Sequence, residues 1–367
     1  MKLSRLLAMA SAPIIAFSVF AANPSQAATY TVVSEHPSIA AQSSSAGKII
    51  NDLGVDGNEI YMAYGDYSNN TGPIDVAVYN VSTGLNSVKL TMPTEEVMAY
   101  RKFDDKLYAA WADPRICWTC PGAYSTNESG SWQNVYNAPA GQHWFDITKV
   151  NGQLVLVGSF SDPVTGGEGG AAAYAKKAGG WELISNDRNN PVTGYERYYW
   201  TATFGGKAYF QANMYPYSTP GNLKSYDGNN VSTVNAPRNL SNVNAKLMEP
   251  FSGMLYVGSQ AWDGRKWYAG FNSGNVQDLF VYKTNIYAVN FDGDVFVHNG
   301  DVGKGKNTGI YWTKIGTTGV YGATSIAVVN DKVYLGNRDG QLIRTSITVN
   351  PTVTATVSGG KKGNGKG

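Results

Sequence analysis

Charged residues are scarce in this chain of 367 residues, at 15 % against roughly 25 % in an average soluble protein. A coiled coil is therefore excluded, because coiled coils consist largely of Ala, Glu, Lys and Leu. After the first 27 residues, no apolar run approaches the ~18 residues that a membrane-spanning helix needs. The sequence also lacks a phosphate-binding loop, an HExxH zinc motif and the Ser, His and Asp order of known hydrolases.

Glycine and aromatic residues are abundant instead. The 42 glycines are about 11 % of the chain, against a usual share of about 7 %. With 24 tyrosines and 9 tryptophans the chain is not disordered, since disordered chains are poor in aromatic residues. Glycine favours tight turns and tyrosine favours strands, so the composition predicts an all-β fold of many short strands.

The first 27 residues have the pattern of a secretory signal peptide. Lys2 and Arg5 precede an apolar run over residues 6–22, and small residues precede an expected cleavage point after Ala27. The alternative is an uncleaved membrane anchor. The pattern predicts export, and therefore a secreted, periplasmic or cell-envelope location.

The charge distribution bears on partners. Between the signal-like segment and the C-terminal tail, acidic residues outnumber basic residues by three. A surface of that sign disfavours nucleic acid as a partner. Residues 350–367 contain a candidate strand and a Gly/Lys stretch, which we predict to be a solvated, flexible end rather than a binding arm.

The two cysteines lie together in Cys117-Trp-Thr-Cys120. In an exported protein such a pair predicts a small disulfide inside a loop. A redox-active CxxC normally begins a helix of a βαβ unit, whereas Pro121 and strand-like residues follow here. A zinc site would need a second pair of ligands. A redox centre, unpaired thiols and a metal site stay open as alternatives.

One phrase recurs seven times: a turn with Gly, Asn or Asp, followed by an apolar strand that usually contains a tyrosine. The final residues of the phrase, which we call anchors, are spaced by 47, 47, 54, 47, 31 and 47 residues. The anchors are Tyr61, Tyr108, Val155, Tyr209, Tyr256, Tyr287 and Tyr334. We expect the anchor tyrosines to pack between units. Repeats of this length with four strands each are typical of β-propellers, so the sequence predicts seven four-stranded blades over residues 48–349.

Over roughly residues 48–349 the chain resembles the kelch/BNR-like (Asp-box-type) group of propeller repeats. The resemblance rests on the repeat length and on turns such as Trp262-Asp-Gly-Arg-Lys-Trp267. The segment Ser125-Thr-Asn127-Glu-Ser129-Gly-Ser-Trp132 also resembles an Asp-box, with Asn in place of Asp and Ser in place of Gly. An Asp-box is a structural turn, so the resemblance implies a seven-bladed β-propeller and no particular activity.

The last repeat lacks an outer strand of its own. Residues 29–34, in the N-terminal segment 28–47, could supply that strand and lock the two ends of the chain together. Residues 352–357, after the Asn350-Pro351 turn, are the other candidate. The sequence favours neither.

In a propeller, the connections from the second to the third strand and those between blades lie on one face, where ligands usually bind. Five residues beyond the anchors, four units have an aspartate: Asp66, Asp113, Asp292 and Asp339. These four units are consecutive around a closed ring, so the sequence predicts one acidic arc. Asp292 and Asp339 each precede a glycine and also fit hairpin turns, and Asp66 and Asp113 also fit loop caps.

Further candidates surround the arc. Nine residues before the anchors, near the start of the first strands, three units have an aspartate: Asp52, Asp146 and Asp278. These side chains either add acids to the same face or bond neighbouring backbone amides. We predict that Tyr67 and Trp111 form an aromatic wall of the site, and that Arg115 and Arg338 neutralise part of the charge.

Carboxylates on a concave face suit calcium (Ca²⁺) or a cationic or hydroxyl-rich ligand. Aromatic rings beside them suit a sugar, whose apolar face can stack on the rings. We therefore predict an exported, monomeric propeller that binds a glycan or an extracellular protein and is not an enzyme, with Ca²⁺ as a candidate ion. The alternative is an extracellular carbohydrate-active hydrolase or lyase that uses the carboxylates of this face. A passive envelope scaffold is a third interpretation.

Overall fold

The structure, a computed structural model, describes residues 28–114, 121–140, 143–161, 168–188, 195–215, 219–234, 248–270, 276–303 and 309–349. The strands within these ranges form seven antiparallel sheets arranged as the blades of a β-propeller, and each blade has four strands. The predicted fold is therefore confirmed. The helices of the described ranges are three short 3₁₀ segments, Ile39–Ala41, Ala46–Lys48 and Tyr67–Asn69. No helix in these ranges is long and apolar enough to cross a membrane.

The strands of a blade follow one another along the chain, from the centre of the ring outward. Blade 1 consists of β2 (Asp52–Asp56), β3 (Glu59–Ala63), β4 (Ile74–Asn80) and β5 (Leu85–Met92). Blade 2 consists of β7 (Tyr100–Phe103), β8 (Lys106–Ala110), β10 (Pro121–Thr126) and β11 (Gln133–Ala140). Blade 3 consists of β12 (His143–Val150), β13 (Gln153–Ser161), β14 (Glu168–Lys177) and β15 (Gly180–Arg188). Two short strands extend its sheet, β6 (Thr94–Glu96) and β9 (Ala112–Pro114).

The remaining blades follow the same order. Blade 4 consists of β16 (Tyr195–Phe204), β17 (Lys207–Tyr215), β18 (Thr219–Tyr226) and β19 (Val231–Val234). Blade 5 consists of β20 (Met248–Phe251), β21 (Met254–Val257), β22 (Gln260–Trp262) and β23 (Trp267–Tyr268). Blade 6 consists of β24 (Val276–Tyr282), β25 (Asn285–Asn290), β26 (Asp294–His298) and β27 (Thr313–Thr317). Blade 7 contains β28 (Ala323–Val329), β29 (Lys332–Asn337) and β30 (Gln341–Thr348).

The N-terminal strand completes blade 7 and closes the ring. β1 (Tyr30–Glu35) pairs antiparallel with β30, with Thr31 opposite Arg344 and Val32 opposite Ile343. Of the two candidates that the sequence offers, the N-terminal segment therefore supplies the outer strand. Residues 1–27 and 350–367, which hold the predicted signal peptide and tail, lie outside the described residues.

Each anchor lies in the second strand of its blade, as the repeat predicts. The six anchor tyrosines are at most 5 % exposed, and residues of adjacent blades form the apolar clusters around them. The short interval of 31 residues after Tyr256 has a simple cause. The four strands of blade 5 have only 4, 4, 3 and 2 residues.

The Asp-box-like segment forms the turn between β10 and β11. The side-chain oxygen of Asn127 accepts a hydrogen bond from the Leu107 amide at 2.8 Å, which joins this turn to the second strand of its blade. The Trp132 ring packs against Tyr61 and Tyr100, with centroids 5.6 and 5.8 Å apart. The segment therefore has the structural role that the resemblance implies.

Candidate functional site

The four predicted arc aspartates lie on one side of the ring. Each belongs to the connection between the second and third strands of blade 1, 2, 6 or 7. We call this side, which also carries the connections between blades, the loop face. The opposite side carries the turns between first and second strands and between third and fourth strands, and we call it the turn face.

The Asp66 side chain forms hydrogen bonds within its own loop. The residue is only 5 % exposed, and its carboxylate accepts hydrogen bonds from the backbone amides of Ser68 and Asn69, which caps the 3₁₀ segment Tyr67–Asn69. The Ser44 hydroxyl donates to the same carboxylate at 2.6 Å. The loop-cap alternative therefore describes the contacts of this side chain.

Asp113 and Tyr67 come together through His143. The carboxylate of Asp113 lies 3.3 Å from Nε2 of His143, and the rings of Tyr67 and His143 meet edge to face at 5.1 Å. Asp113 adopts a positive φ of 64°, and its short strand β9 pairs with β12 through Ala112 and His143. Arg115, Cys117 and Cys120 lie outside the described residues, so the predicted disulfide stays a prediction.

Aromatic rings and an arginine surround this contact. We call Tyr67, His143, Phe145, Arg197 and Tyr199 the mouth cluster, because they lie where the inner strands of blades 3 and 4 begin. Phe145 stacks on Tyr199 at 4.5 Å and meets Tyr67 at 5.5 Å. Arg197 donates to the hydroxyls of Tyr67 and Tyr199 at 3.3 and 3.4 Å. Burial raises the pKa of Tyr67 far above its usual range, so its phenol stays protonated at neutral pH.

Two β-bulges explain why the repeat alone does not reveal this cluster. The pairing register shifts between Trp144 and Asp146 in β12, and between Tyr198 and Trp200 in β16. Phe145 and Tyr199 are the unpaired residues of these bulges and occupy equivalent positions in adjacent blades. The sequence does contain one signal for this cluster: an aromatic residue, Phe145 or Tyr199, stands ten positions before each of two consecutive anchors.

The remaining predicted aromatic, Trp111, lies in the core. Its ring is fully buried, and its Nε1 donates to the Ser125 hydroxyl at 2.9 Å. It packs among residues of blades 1 and 2. The side chain is therefore a packing element of the blade interface.

The aspartates of the first strands connect neighbouring blades. A carboxylate oxygen of each accepts a hydrogen bond from a backbone amide in the first strand of the next blade. The pairs are Asp52 with Tyr100 at 2.8 Å, Asp146 with Thr201 at 2.9 Å and Asp278 with Ile326 at 2.9 Å. Asp146 also binds the Arg101 guanidinium through both oxygens, at 2.8 and 2.7 Å. These contacts match the alternative in which the acids bond backbone amides.

Blades 6 and 7 present an exposed aromatic and basic group on the loop face. Tyr321 is 76 % exposed, its ring meets Phe291 edge to face at 4.7 Å, and the Arg338 guanidinium lies 4.6 Å from the centre of the Phe291 ring. We call Phe291, Tyr321 and Arg338 the exposed patch. Gly322 donates a backbone hydrogen bond to Phe291 and accepts one from Arg338, so the connection between the blades is held between two turns.

Asp292 and Asp339 flank the exposed patch. Both are exposed, and each follows a patch residue in the chain, Phe291 or Arg338. Neither carboxylate forms a hydrogen bond or an ion pair with any residue that the structure describes. They therefore differ from Asp66 and Asp146, whose oxygens are occupied.

A metal site is not visible in the described part of the chain. Among these residues, no group of three or more His, Cys, Asp or Glu side chains could hold a metal ion. Calcium binding stays a prediction.

No family model and no curated protein matches this chain. Several solved structures are similar to it. Virginiamycin B lyase from Staphylococcus aureus is similar at a TM-score of 0.52 with 8 % identity, over 84 % of this chain and 97 % of that chain. A chain of the mitotic checkpoint complex is similar at a TM-score of 0.55 with 13 % identity, over 94 % of this chain and 99 % of that chain. At such identities the likeness shows the propeller fold alone, and the kelch/BNR-like repeat type stays a prediction.

Proposed function

We propose that this chain is an exported binding protein that recognises a carbohydrate at the exposed patch of its loop face. The observation that carries the proposal is the Tyr321 ring, 76 % exposed, between two turns that each present a carboxylate without a partner in the described chain. The signal-like N-terminal pattern supports export.

The chemistry of the patch suits a sugar. One face of a sugar ring is apolar and can lie on the Tyr321 ring, which its contact with Phe291 holds in place. The hydroxyl groups around the sugar are donors and acceptors. The carboxylates of Asp292 and Asp339 accept such donors, and the Arg338 guanidinium donates to oxygen acceptors.

The two aspartates favour a glycan over a protein partner. Tyrosine and arginine are common at the centre of protein interfaces, but aspartate is depleted there. Burying an unpaired carboxylate against a protein surface is costly, whereas a hydroxyl-rich ligand supplies a donor for each oxygen. The pair of carboxylates beside Tyr321 is therefore better matched by a sugar.

A glycan array, followed by calorimetry with the strongest ligand, tests the proposal. We expect Tyr321→Ala to weaken binding by at least about fivefold, since losing a stacked ring removes about 1 kcal/mol or more. Asp292→Asn combined with Asp339→Asn should weaken it as well. The matched controls are Tyr311→Ala and Asp105→Asn, which alter exposed residues of the turn face and should leave the affinity unchanged. Equal binding by all variants, or no binding to any glycan, would refute the proposal.

The mouth cluster favours the alternative of a carbohydrate-active enzyme. The Asp113–His143 pair offers a proton acceptor, and the protonated Tyr67 phenol lies against the same imidazole. Chromatography of each bound glycan after incubation tests this function. Product release that is lost in both His143→Gln and Tyr67→Phe would establish catalysis at the mouth cluster, and unchanged glycans would exclude it for those substrates.

A further inference from the structure

A cavity of about 690 Å³ lies inside the ring. Its lining comes from the inner strands, from Asp52 in β2 and Asp278 in β24 to Gly57, Lys283 and Asn330 at the turns that follow the inner strands. The cavity therefore occupies the half of the ring toward the turn face, away from the exposed patch. Its size is within the range of pockets that hold small organic molecules.

Three side chains from different blades meet beside this cavity. Arg101 of blade 2 binds Asp146 of blade 3 through two hydrogen bonds and approaches Glu249 of blade 5 at 3.4 Å through Nη1. Asp146 is 1 % exposed and fully occupied, whereas the Glu249 side chain is 29 % exposed and lines the cavity. One oxygen of Glu249, Oε2, has no hydrogen-bond partner among the described residues.

The surroundings of Glu249 carry an excess of negative charge, because Arg101 faces the Glu249 carboxylate together with those of Asp52 and Asp146. The lysines of the lining are paired with aspartates at the turn face: Lys102 with Asp56, Lys149 with Asp104 and Lys283 with Asp331. The pKa of Glu249 is raised from 4.5 to about 7, because burial disfavours the charged carboxylate. Arg101 stabilises the charged form, and the charges of Asp52 and Asp146 offset part of that stabilisation. A second cation in the cavity would relieve this excess.

The rest of the cavity lining indicates which chemical groups a ligand of this cavity would carry. The Thr201 side chain lines the cavity and is 1 % exposed, and its hydroxyl has no hydrogen-bond partner. An unsatisfied buried hydroxyl is costly and calls for a polar partner. Much of the remaining wall is apolar and includes Leu53, Val55, Leu279, Phe280, Val281 and Val328. A ligand that satisfies both parts has a charged donor and an apolar body.

We propose that the central cavity binds a small organic cation, an amine with an apolar body, whose ammonium group donates to the Glu249 carboxylate. The Thr201 hydroxyl accepts a second hydrogen bond from the ammonium group, and the apolar walls enclose the body. This site is separate from the carbohydrate site, and each can fail without the other.

Calorimetry of the full chain with phenethylamine tests the site, and phenethyl alcohol is the neutral isostere. We expect saturable binding of the amine at one site. Glu249→Gln should weaken that binding by at least about tenfold, and Thr201→Val by about threefold. Glu182→Gln is the matched control, because Glu182 is an exposed carboxylate on the outer strand of blade 3. Binding of the alcohol should be the same in the parent and in Glu249→Gln.

The pH dependence of the parent provides a test that needs no variant. Protonation of Glu249, whose pKa is about 7, removes the acceptor, so the affinity for the amine should fall about tenfold from pH 8 to pH 6. The charged groups facing Glu249 are Arg101, Asp52 and Asp146. The proposal is overturned if phenethylamine, benzylamine and cyclohexylamine show no saturable binding up to about 10 mM. It is equally overturned if their affinity is unchanged at the lower pH, or if Glu249→Gln folds and binds them as the parent does.

Discussion

Aspartates occupy equivalent positions in several blades, yet their carboxylates are engaged to very different degrees. Asp66 and Asp146 are buried and fully hydrogen-bonded, whereas Asp292 and Asp339 are exposed and have no partner in the described chain. Position in the repeat therefore determines where an acid lies along its blade. The partners of that acid determine whether it stabilises the fold or is available to a ligand.

Asp146→Asn should destabilise the fold. The change breaks a buried ion pair and leaves the Arg101 guanidinium without its main partner, which costs about 3 kcal/mol in the free energy of unfolding. Chemical denaturation measures the effect. The control Asp104→Asn removes an exposed partner of Lys149 and should change stability by less than about 0.5 kcal/mol. A loss below about 1 kcal/mol for Asp146→Asn would show that the pair contributes little.

Glu249 should give the stability a distinct pH dependence. Its carboxyl loses a proton near pH 4.5 in the unfolded chain and near pH 7 in the folded ring. The folded state therefore binds more protons in this window, and the contribution of Glu249 to stability falls as the pH rises. Relative to the parent, Glu249→Gln should gain stability from pH 4.5 to 7 and then level off. A difference independent of pH would contradict the shifted pKa.

The position of the acids along the blades could be predicted from the sequence, but their engagement could not. The second partner of Asp66 is Ser44, in a loop 22 residues away, and that of Asp146 is Arg101, 45 residues away in another blade. The repeat contains no signal for such contacts. The Asp-Gly turns of Asp292 and Asp339 are local, and their hairpins were predicted correctly.

At the level of strands, the predictions were close. The sequence predicts an apolar strand at each anchor, and the structure has Tyr287 within Asn285–Asn290 and Tyr334 within Lys332–Asn337. Strands of alternating residues between Gly or Asp turns are determined locally. Which segment closes the ring is determined by tertiary structure, because β1 near the N-terminus pairs with β30 near the end of blade 7.

The closing strand should be sensitive to acid through His36. This residue follows β1, is fully buried and stacks on Tyr64 at 4.2 Å. Burial lowers its pKa from 6.5 to about 4, so the unfolded chain takes up a proton before the folded ring does. The contribution of His36 to stability should therefore be lost as the pH falls from 6.5 to 4.

Denaturation curves of the parent and of His36→Phe measure this contribution. The fall in the free energy of unfolding between pH 6.5 and 4 should be smaller in the variant. Glu249 acts in the opposite direction above pH 4.5, so the difference between variant and parent is the relevant quantity. Identical slopes for the two proteins would exclude His36 as an acid-sensitive group.

At the level of the whole molecule, the ring separates two surfaces. The loop face carries the exposed patch and the mouth cluster, and the cavity lies toward the turn face. The sequence predicts the ring because seven anchors recur and four of the six intervals between them are 47 residues. It does not predict the mouth cluster or the cavity, because both are formed by side chains from different blades that come together only after the ring has closed.

Carbohydrate recognition on the loop face is the central claim, and hydrogen–deuterium exchange of the parent with its strongest array glycan tests it most directly. We expect slower exchange in the connections of blades 6 and 7 that hold the exposed patch, residues 290–294, 318–322 and 337–341, and unchanged exchange in the turns at 104–105 and 151–152. Protection confined to the turn face, or protection in Tyr321→Ala equal to that in the parent, would contradict the account.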